Sequence, residues 1–153
     1  MSEISRSSKI SLREITKDTA RTIMKLEVQD YQKKYVASNA VSIAQAYFEE
    51  KAWFRAIYAD DTPVGFLMMY IDNEKPDYYL WRFMIDKKYQ KLGFGSKALE
   101  RMIEHVKGYE NAEKIELSYV PGEHSAINIY KRLGFEENGK MEGDELVMEL
   151  KLK

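Results

Sequence analysis

The chain has no cysteine. That excludes a disulfide framework, a thiolate zinc site and a cysteine nucleophile. Histidine is almost as scarce, with His105 and His124 alone among 153 residues, which argues against a metal centre. An excess of charge of either sign is missing too. Lys and Arg number 24 against 25 Asp and Glu, a net charge of −1, so nothing points to nucleic acid or a membrane surface as a partner. No segment approaches the ~20 apolar residues of a membrane span. The polar start, residues 1–8, lacks the apolar core of a secretory signal and reads as a mobile tail. The expectation is a cytoplasmic protein. Repeats, low-complexity stretches and linkers are absent, so residues 1–153 read as a single domain. A chain of this size buries roughly 70% of its unfolded surface.

One stretch organises what is present. Phe83, Met84 and Ile85 are a short apolar run fit for a buried strand. Gln90-Lys91-Leu92-Gly93-Phe94-Gly95 then sets two glycines two apart, where the backbone bends freely and approaches a ligand closely. From Ser96 the pattern turns helical, with Ala98, Leu99, Met102, Ile103 and Val106 on one face and a stop at Gly108. A loop that feeds backbone N–H groups into a helix N-terminus is an anion site, because unpaired amides and the helix dipole both favour a phosphate. The two glycines alone also read as a plain turn. Neither the Gly-Lys-Ser/Thr of a P-loop nor the three glycines of a dinucleotide fingerprint are present.

The remaining elements follow by periodicity. A strand is expected over Ile10–Glu14, then a helix capped by Thr16 or Asp18, with Ala20, Ile23, Met24, Glu27 and Tyr31 on one face. Tyr35–Asn39 reads as a loop. Ser42 is the expected cap of a helix over Ala44–Lys51, with Ile43, Ala46, Tyr47 and Phe48 buried. Strands are expected over Trp53–Ala59, Val64–Ile71 and Tyr78–Asp86, the last with Tyr79, Trp81, Phe83 and Ile85 on one face. Beyond the Ser96–Lys107 helix come a strand over Lys114–Val120, a helix from about His124 to Leu133 closed by Gly134, and a hairpin of Phe135–Lys140 with Glu145–Leu152. The apolar last strand suits pairing within the chain or across a homodimer. This order makes a mixed α/β sheet flanked by helices, with a parallel crossover from Tyr78 to Val120.

Gln90-x-x-Gly93-x-Gly95 after an apolar strand resembles the acetyl-CoA pyrophosphate loop of the GNAT superfamily of N-acetyltransferases. Downstream, Ser125-Ala126-Ile127-Asn128-Ile129-Tyr130-Lys131-Arg132-Leu133-Gly134-Phe135 resembles that family's Ala-Ile-x-x-Tyr-x-x-x-Gly-Phe helix. Tyr35–Asn39 and Arg82–Asp86 resemble stretches of its bacterial spermine/spermidine (diamine) acetyltransferases. The resemblance implies a mostly antiparallel sheet of about seven strands with a splayed parallel pair and about four helices. It implies acetyl-CoA as co-substrate, with no metal. The backbone of Phe83, Met84 and Ile85 would hold the pantetheine arm, and Gln90, Lys91, Leu92, Gly93, Phe94, Gly95 and Ser96 the pyrophosphate. A thioester donor suits a chain without a thiol or metal of its own.

The resemblance also implies chemistry. Tyr130 matches the family's tyrosine near the cofactor sulfur, where a phenol protonates the departing thiolate. Read from its spacing alone, it is rather a core aromatic whose hydroxyl caps a backbone group. Asn128, two residues earlier, either bonds the cofactor or faces solvent. Three positions depart from the pattern. Gln90 stands where arginine is commoner, so a charge on the phosphate is lost. Glu123 stands where the family often has an asparagine that contacts pantetheine. Trp81 stands where mammalian-type polyamine enzymes carry a glutamate base, which leaves a water held by the backbone or by Glu116 or Ser118, or an amine bound already neutral. A polyamine, the acceptor the resemblance favours, needs carboxylates and aromatic faces. Glu27 and Trp81 are the leading candidates, with Asp30, Glu49, Glu50, Tyr31, Tyr35 and Tyr119 behind them. Other amines (an amino sugar, an antibiotic, a protein N-terminus) and a non-catalytic acyl-CoA-binding module remain open.

Overall fold

The computed structural model describes residues 4–121 and 126–153. Its strands are β1 (Ile10–Arg13), β2 (Ala52–Ala59), β3 (Thr62–Asp72), β4 (Asp77–Ile85), β5 (Lys114–Tyr119), β6 (Glu136–Glu142) and β7 (Glu145–Lys151). Its helices are α1 (Ala20–Lys25), α2 (Asn39–Tyr47), α3 (Phe94–Lys107) and α4 (Ile127–Arg132), with short 3-10 turns at Asp30–Gln32 and Lys87–Tyr89. The strands form one sheet in the order β1-β2-β3-β4-β5-β7-β6. Only β4 and β5 run parallel. This is the mixed sheet with one parallel pair that the pattern of elements implied.

Alternation along β3 divides two cores. Leu67 and Met69 pack on the side that holds Leu99, Met102 and Val106 of α3. Phe66 and Met68 pack on the other side with Ile23 of α1 and Ile43 and Ala46 of α2. The near-continuous apolar run of β3 is thus buried on both faces, as such runs usually are. Each fully buried side chain of this kind contributes about 1.5–3 kcal/mol.

Several expected boundaries move, each for a local reason. The first helix ends at Lys25, because Leu26 turns extended and the buried carboxylate of Asp86 accepts the N–H of Glu27 at 2.8 Å. Glu27 and Tyr31 therefore lie beyond α1 and share no helical face with Ile23. No side chain caps α1; its N-cap residue is Thr19. The cap of α2 is Ser38, whose Oγ accepts the N–H of Val41 at 3.2 Å, while Ser42 is buried within the helix. Buried Asn39 donates its Nδ2 to the Ile23 carbonyl at 2.9 Å and so ties α2 to the end of α1. Tyr47 and Phe48, expected inside, are 83% and 86% exposed, because α2 packs through its earlier turns. β7 lies between β5 and β6, so both of its edges are used and it offers none to a second copy. Within residues 4–8, Ser5 to Ser8 form a turn and Ile4 packs against the larger core. The start of the helix expected from His124 lies outside the described residues.

Gly65 sits opposite Ile85 at the end of β4. A Cβ there would come within 2.4 Å of the Met84 carbonyl oxygen, a backbone atom that cannot yield. Gly65→Ala is therefore expected to lower stability by roughly 1–3 kcal/mol, read as a shift of the urea unfolding midpoint at constant slope.

Candidate active site

The site forms where β4 and β5 part. Their parallel pairing is confined to Tyr79 with Glu116 and Leu80 with Leu117. The register between β3 and β4 slips at the same place. Met68 faces Arg82 and Met69 faces Leu80, which leaves Trp81 as the extra residue of a β-bulge. The bulge moves Trp81 to the face of Met84 and Phe66, opposite Leu80 and Phe83. The expected shared face of Trp81 with Phe83 and Ile85 is corrected accordingly.

Beyond the bulge, one edge of β4 has no strand beside it among the described residues. Asp86 donates its N–H to the Val64 carbonyl at 2.7 Å, so by antiparallel alternation Met84 is turned toward β3, and Phe83 and Ile85 present their N–H and C=O groups to the gap. Met84 is thereby corrected as a main-chain partner of the pantetheine arm, although the residue lines the groove. The Ile85 carbonyl is already taken by Gln90 Nε2 at 2.9 Å, and the same nitrogen donates to buried Gln32 Oε1 at 2.9 Å. Gln90 is thus a tie between strand, loop and the first 3-10 turn.

The loop then runs through two left-handed residues, Lys91 (φ 66°) and Gly93 (φ 82°), into α3. No side chain caps α3 and its first turn holds no acid, so the first amides stay unpaired by capping. A Cβ at Gly93 would meet nothing within 4 Å, so this glycine is required by its φ and its open side faces free space. Gly95 is required by packing, since a Cβ there would lie 3.2 Å from Phe83 and 3.4 Å from Ile129. Leu92 turns inward and packs against the core.

A groove of about 1440 Å³ runs over this region. That exceeds the roughly 300–1,000 Å³ of a pocket for one drug-sized ligand, as room for two substrates requires. Of the residues singled out in the sequence, Trp81, Phe83, Met84, Ile85, Gln90, Lys91, Gly93, Phe94, Gly95, Ser96, Asn128 and Tyr130 line it; Leu92 and Glu27 do not. Tyr130 is buried on α4, its ring 6.4 Å from that of Phe83 and 5.9 Å from that of Phe135. Asn128 is exposed on the same helix. Glu123 lies outside the described residues.

The acidic side of the groove is not where the sequence placed it. Glu27 is committed to Lys87 at 2.8 Å and to Lys33 at 3.3 Å, and these lysines hold its carboxyl below the usual range. Asp30, Glu49 and Glu50 do not line the groove either. Glu142 and Glu145, which the sequence reading passed over, do. Glu145 Oε1 lies 3.2 Å from the Ser118 hydroxyl, Glu142 Oε2 lies 3.2 Å from the Tyr79 hydroxyl, and the two hydroxyls lie in contact; with one proton each, they donate two of these three bonds at a time. Neither carboxylate has a cationic partner within 4.0 Å among the described residues. Burial above all pushes the Tyr79 phenol up to about 12, so it stays protonated at neutral pH. Glu116 faces away, toward Asn138 at 3.4 Å and Lys114 at 3.8 Å. No local signal marks Glu142 and Glu145, since only the β6–β7 hairpin brings them over β4 and β5. Asp86 did carry one: an acid just before the Lys87–Tyr89 turn, which it caps through the Lys88 N–H at 3.1 Å.

The profile of the Acetyltransferase (GNAT) family matches residues 17–135. The chain belongs to the GNAT family of acetyltransferases. The spermine/spermidine N(1)-acetyltransferase of Bacillus subtilis (strain 168) is 30% identical over 141 residues, 87% of this chain and 91% of that protein. Among solved structures, the spermidine N-acetyltransferase of Vibrio cholerae in complex with CoA and spermine superposes with a TM-score of 0.74 at 17% identity, covering 93% of this chain and 95% of that one. An aminoglycoside acetyltransferase, AAC(6')-Ib, in complex with coenzyme A superposes at 0.76 with 16% identity, covering 94% and 95%. At these identities the superpositions establish the fold. The GNAT co-substrate is acetyl-CoA, and this chain's residues fit it: an open strand edge for an amide-bearing arm, and uncapped amides at a left-handed glycine for a diphosphate. No group of His, Asp or Glu side chains suited to hold a metal occurs among the described residues, and no helix of the described residues is long and apolar enough to cross a membrane.

Gln90→Leu would leave the Ile85 carbonyl without this donor and the Gln32 amide oxygen with the Gln29 N–H alone, at 3.0 Å. A loss of about 1–3 kcal/mol in stability is expected, together with a raised KM for acetyl-CoA at an unchanged KM for the amine, measured by urea unfolding and steady-state kinetics.

Proposed function

We propose that this acetyl-CoA-dependent acetyltransferase acetylates a primary amine of a polyamine such as spermidine or spermine, by direct transfer within the groove. One observation carries the acceptor class: Glu142 and Glu145 line the groove with no cation within 4.0 Å among the described residues, Arg82 acting on Glu145 only from beyond that distance, and Trp81 lines the groove as well. Carboxylates without a cation attract a chain of ammonium groups, and an indole face adds cation–π attraction. The 30% identity to a Bacillus spermine/spermidine acetyltransferase supports the same class.

The roles divide along the groove. The N–H and C=O groups of Phe83 and the N–H of Ile85 hold the pantetheine arm as an added strand would, and supply a donor for the oxyanion of the transfer step. The amides from Lys91 to Ser96 hold the diphosphate. Asn128 hydrogen-bonds the arm from the opposite wall. Tyr130 gives its phenolic proton to the departing thiolate. An alkyl amine near pKa ~10 must first lose a proton. Glu145, bonded to Ser118, and Glu142, bonded to Tyr79, are the carboxylates in the groove that accept it. Tyr79, held protonated, serves as the donor to Glu142 and not as the base.

Arg82 favours a second reading. It also lines the groove, with Gln45 Oε1 at 3.0 Å and the Trp81 carbonyl at 3.1 Å as partners and its Nε buried without one. An acceptor with its own carboxylate, such as an amino acid or a peptide, would use that cation. A panel of spermidine, spermine, amino sugars and amino acids with acetyl-CoA separates the readings through thiol release. The polyamines are expected to give the highest kcat/KM. Glu142→Gln with Glu145→Gln is expected to raise their KM roughly tenfold or more. Tyr130→Phe is expected to lower kcat by roughly 10²-fold or more with little change in the affinity for acetyl-CoA. An amino acid or amino sugar as the best acceptor, or a double variant with unaltered polyamine KM, removes the polyamine assignment.

A further inference from the structure

The glycine loop is met by a residue from the far end of the chain. Arg6 lies 85 positions before Lys91, yet its Nη2 donates to the Lys91 carbonyl at 2.8 Å. The contact is stapled from the other side, since Lys97 on α3 donates its ammonium to the Arg6 carbonyl. The turn that delivers Arg6 is itself anchored. Ser8 is buried, its N–H donates to the Ser5 carbonyl at 2.9 Å, and its Oγ accepts the Ser5 N–H at 2.8 Å. The Arg6 side chain lines the groove beside Lys91 and Gly93.

A guanidinium has five N–H donors. Arg6 spends one on Lys91, and no carboxylate lies within 4.0 Å of it among the described residues. An arginine held at a loop of uncapped amides and left without an acid has capacity for an anion. The loop meanwhile lacks a cation at Gln90, whose neutral amide is consumed by Ile85 and Gln32. Backbone amides offer only partial charges to a diphosphate, whereas a guanidinium offers a full charge and a fork of donors matched to phosphate oxygens.

We propose that Arg6 is a coenzyme-binding residue: its guanidinium, positioned by the Lys91 carbonyl, pairs with the diphosphate of acetyl-CoA seated on the glycine loop. The N-terminal turn is then part of the binding site. This assignment rests on the reading that the loop holds the diphosphate.

The experiment compares the full-length protein with Arg6→Gln and Arg6→Lys, using acetyl-CoA, acetyl-dephospho-CoA and S-acetyl-pantetheine as donors. Arg6→Gln is expected to raise KM for acetyl-CoA roughly ten- to hundredfold, the range of a hydrogen bond between charged groups, with KM for the amine unchanged. Arg6→Lys should recover part of the loss, and added salt should shrink the difference between wild type and Arg6→Gln. The penalty should persist with acetyl-dephospho-CoA, which keeps the diphosphate, and vanish with S-acetyl-pantetheine, which has no phosphate. A penalty that vanishes already with acetyl-dephospho-CoA would move Arg6 to the 3′-phosphate and overturn the diphosphate assignment. An equal penalty with S-acetyl-pantetheine would make the residue a structural prop of the loop and overturn it as well. Gly93→Val, read by calorimetry with CoA, separates the two layers of the argument. Lost CoA affinity there beside an unaltered Arg6→Gln rejects Arg6 alone, and unaltered affinity in both rejects the loop itself.

Discussion

The residue in excess at Trp81 is the constraint on which the site depends. A parallel pair left to itself continues its ladder, and a continued ladder between β4 and β5 would close the sheet over the place where the groove lies. Slippage against β3 bends β4 away from β5 directly after Leu80, so pairing stops with Leu117 and the next peptides of β4 have no neighbour. Buried polar backbone without a partner is costly, so an edge of this kind asks for something to complete it. A strand-like, amide-bearing arm is a fitting complement, and acetyl-CoA, the co-substrate of the family, carries one. Farther along β4, Gly65 lets β3 approach the Met84 carbonyl where any other residue would collide.

The open edge would be of little use if the loop after it could drift. Three ties prevent that. Asp86 fixes the end of β4 to the segment after α1 through the Glu27 N–H. Gln90 fixes the loop to Ile85 and Gln32. Gly95 allows α3 to lie against Phe83 and Ile129 without a gap. Together they hold the first amides of α3 in line with the strand edge, which a fixed distance between arm and diphosphate demands. Two of the three were read in the sequence in other roles: Gln90 as a phosphate contact and Gly95 as a flexible joint. Asp86 was taken simply as the last residue of its strand.

Charge is distributed with the same economy. Glu27 looked suited to an ammonium group because a helical wheel placed it among apolar residues. The helix ends before it, and two lysines use its carboxylate. Exposed pairs of this kind stabilise little, but they do remove a charge from circulation. The carboxylates left without cations, Glu142 and Glu145, come from the last hairpin and meet Ser118 and Tyr79 from strands far away in the chain. Helix periodicity over a short segment cannot tell a six-residue helix from a twelve-residue one when the terminating contact, here Asp86, lies 59 positions away. Alternation likewise identifies the faces of β6 and β7 without saying what they are laid across.

The sequence by itself determined the strand, glycine loop and α3, because apolar spacing, two glycines and an acid-free first turn are local properties that act within a dozen residues. It determined the family for the same reason, through two motifs whose conformations are set by their own side chains. It also placed Tyr130 on a short helix facing the core. The tertiary structure alone decided where β4 leaves β5, since a bulge is a mismatch between two strands and exists in neither. It alone decided which carboxylates stay unpaired and that Arg6 reaches the glycine loop, because both follow from charges brought together across many residues of intervening chain, at distances no spacing rule encodes.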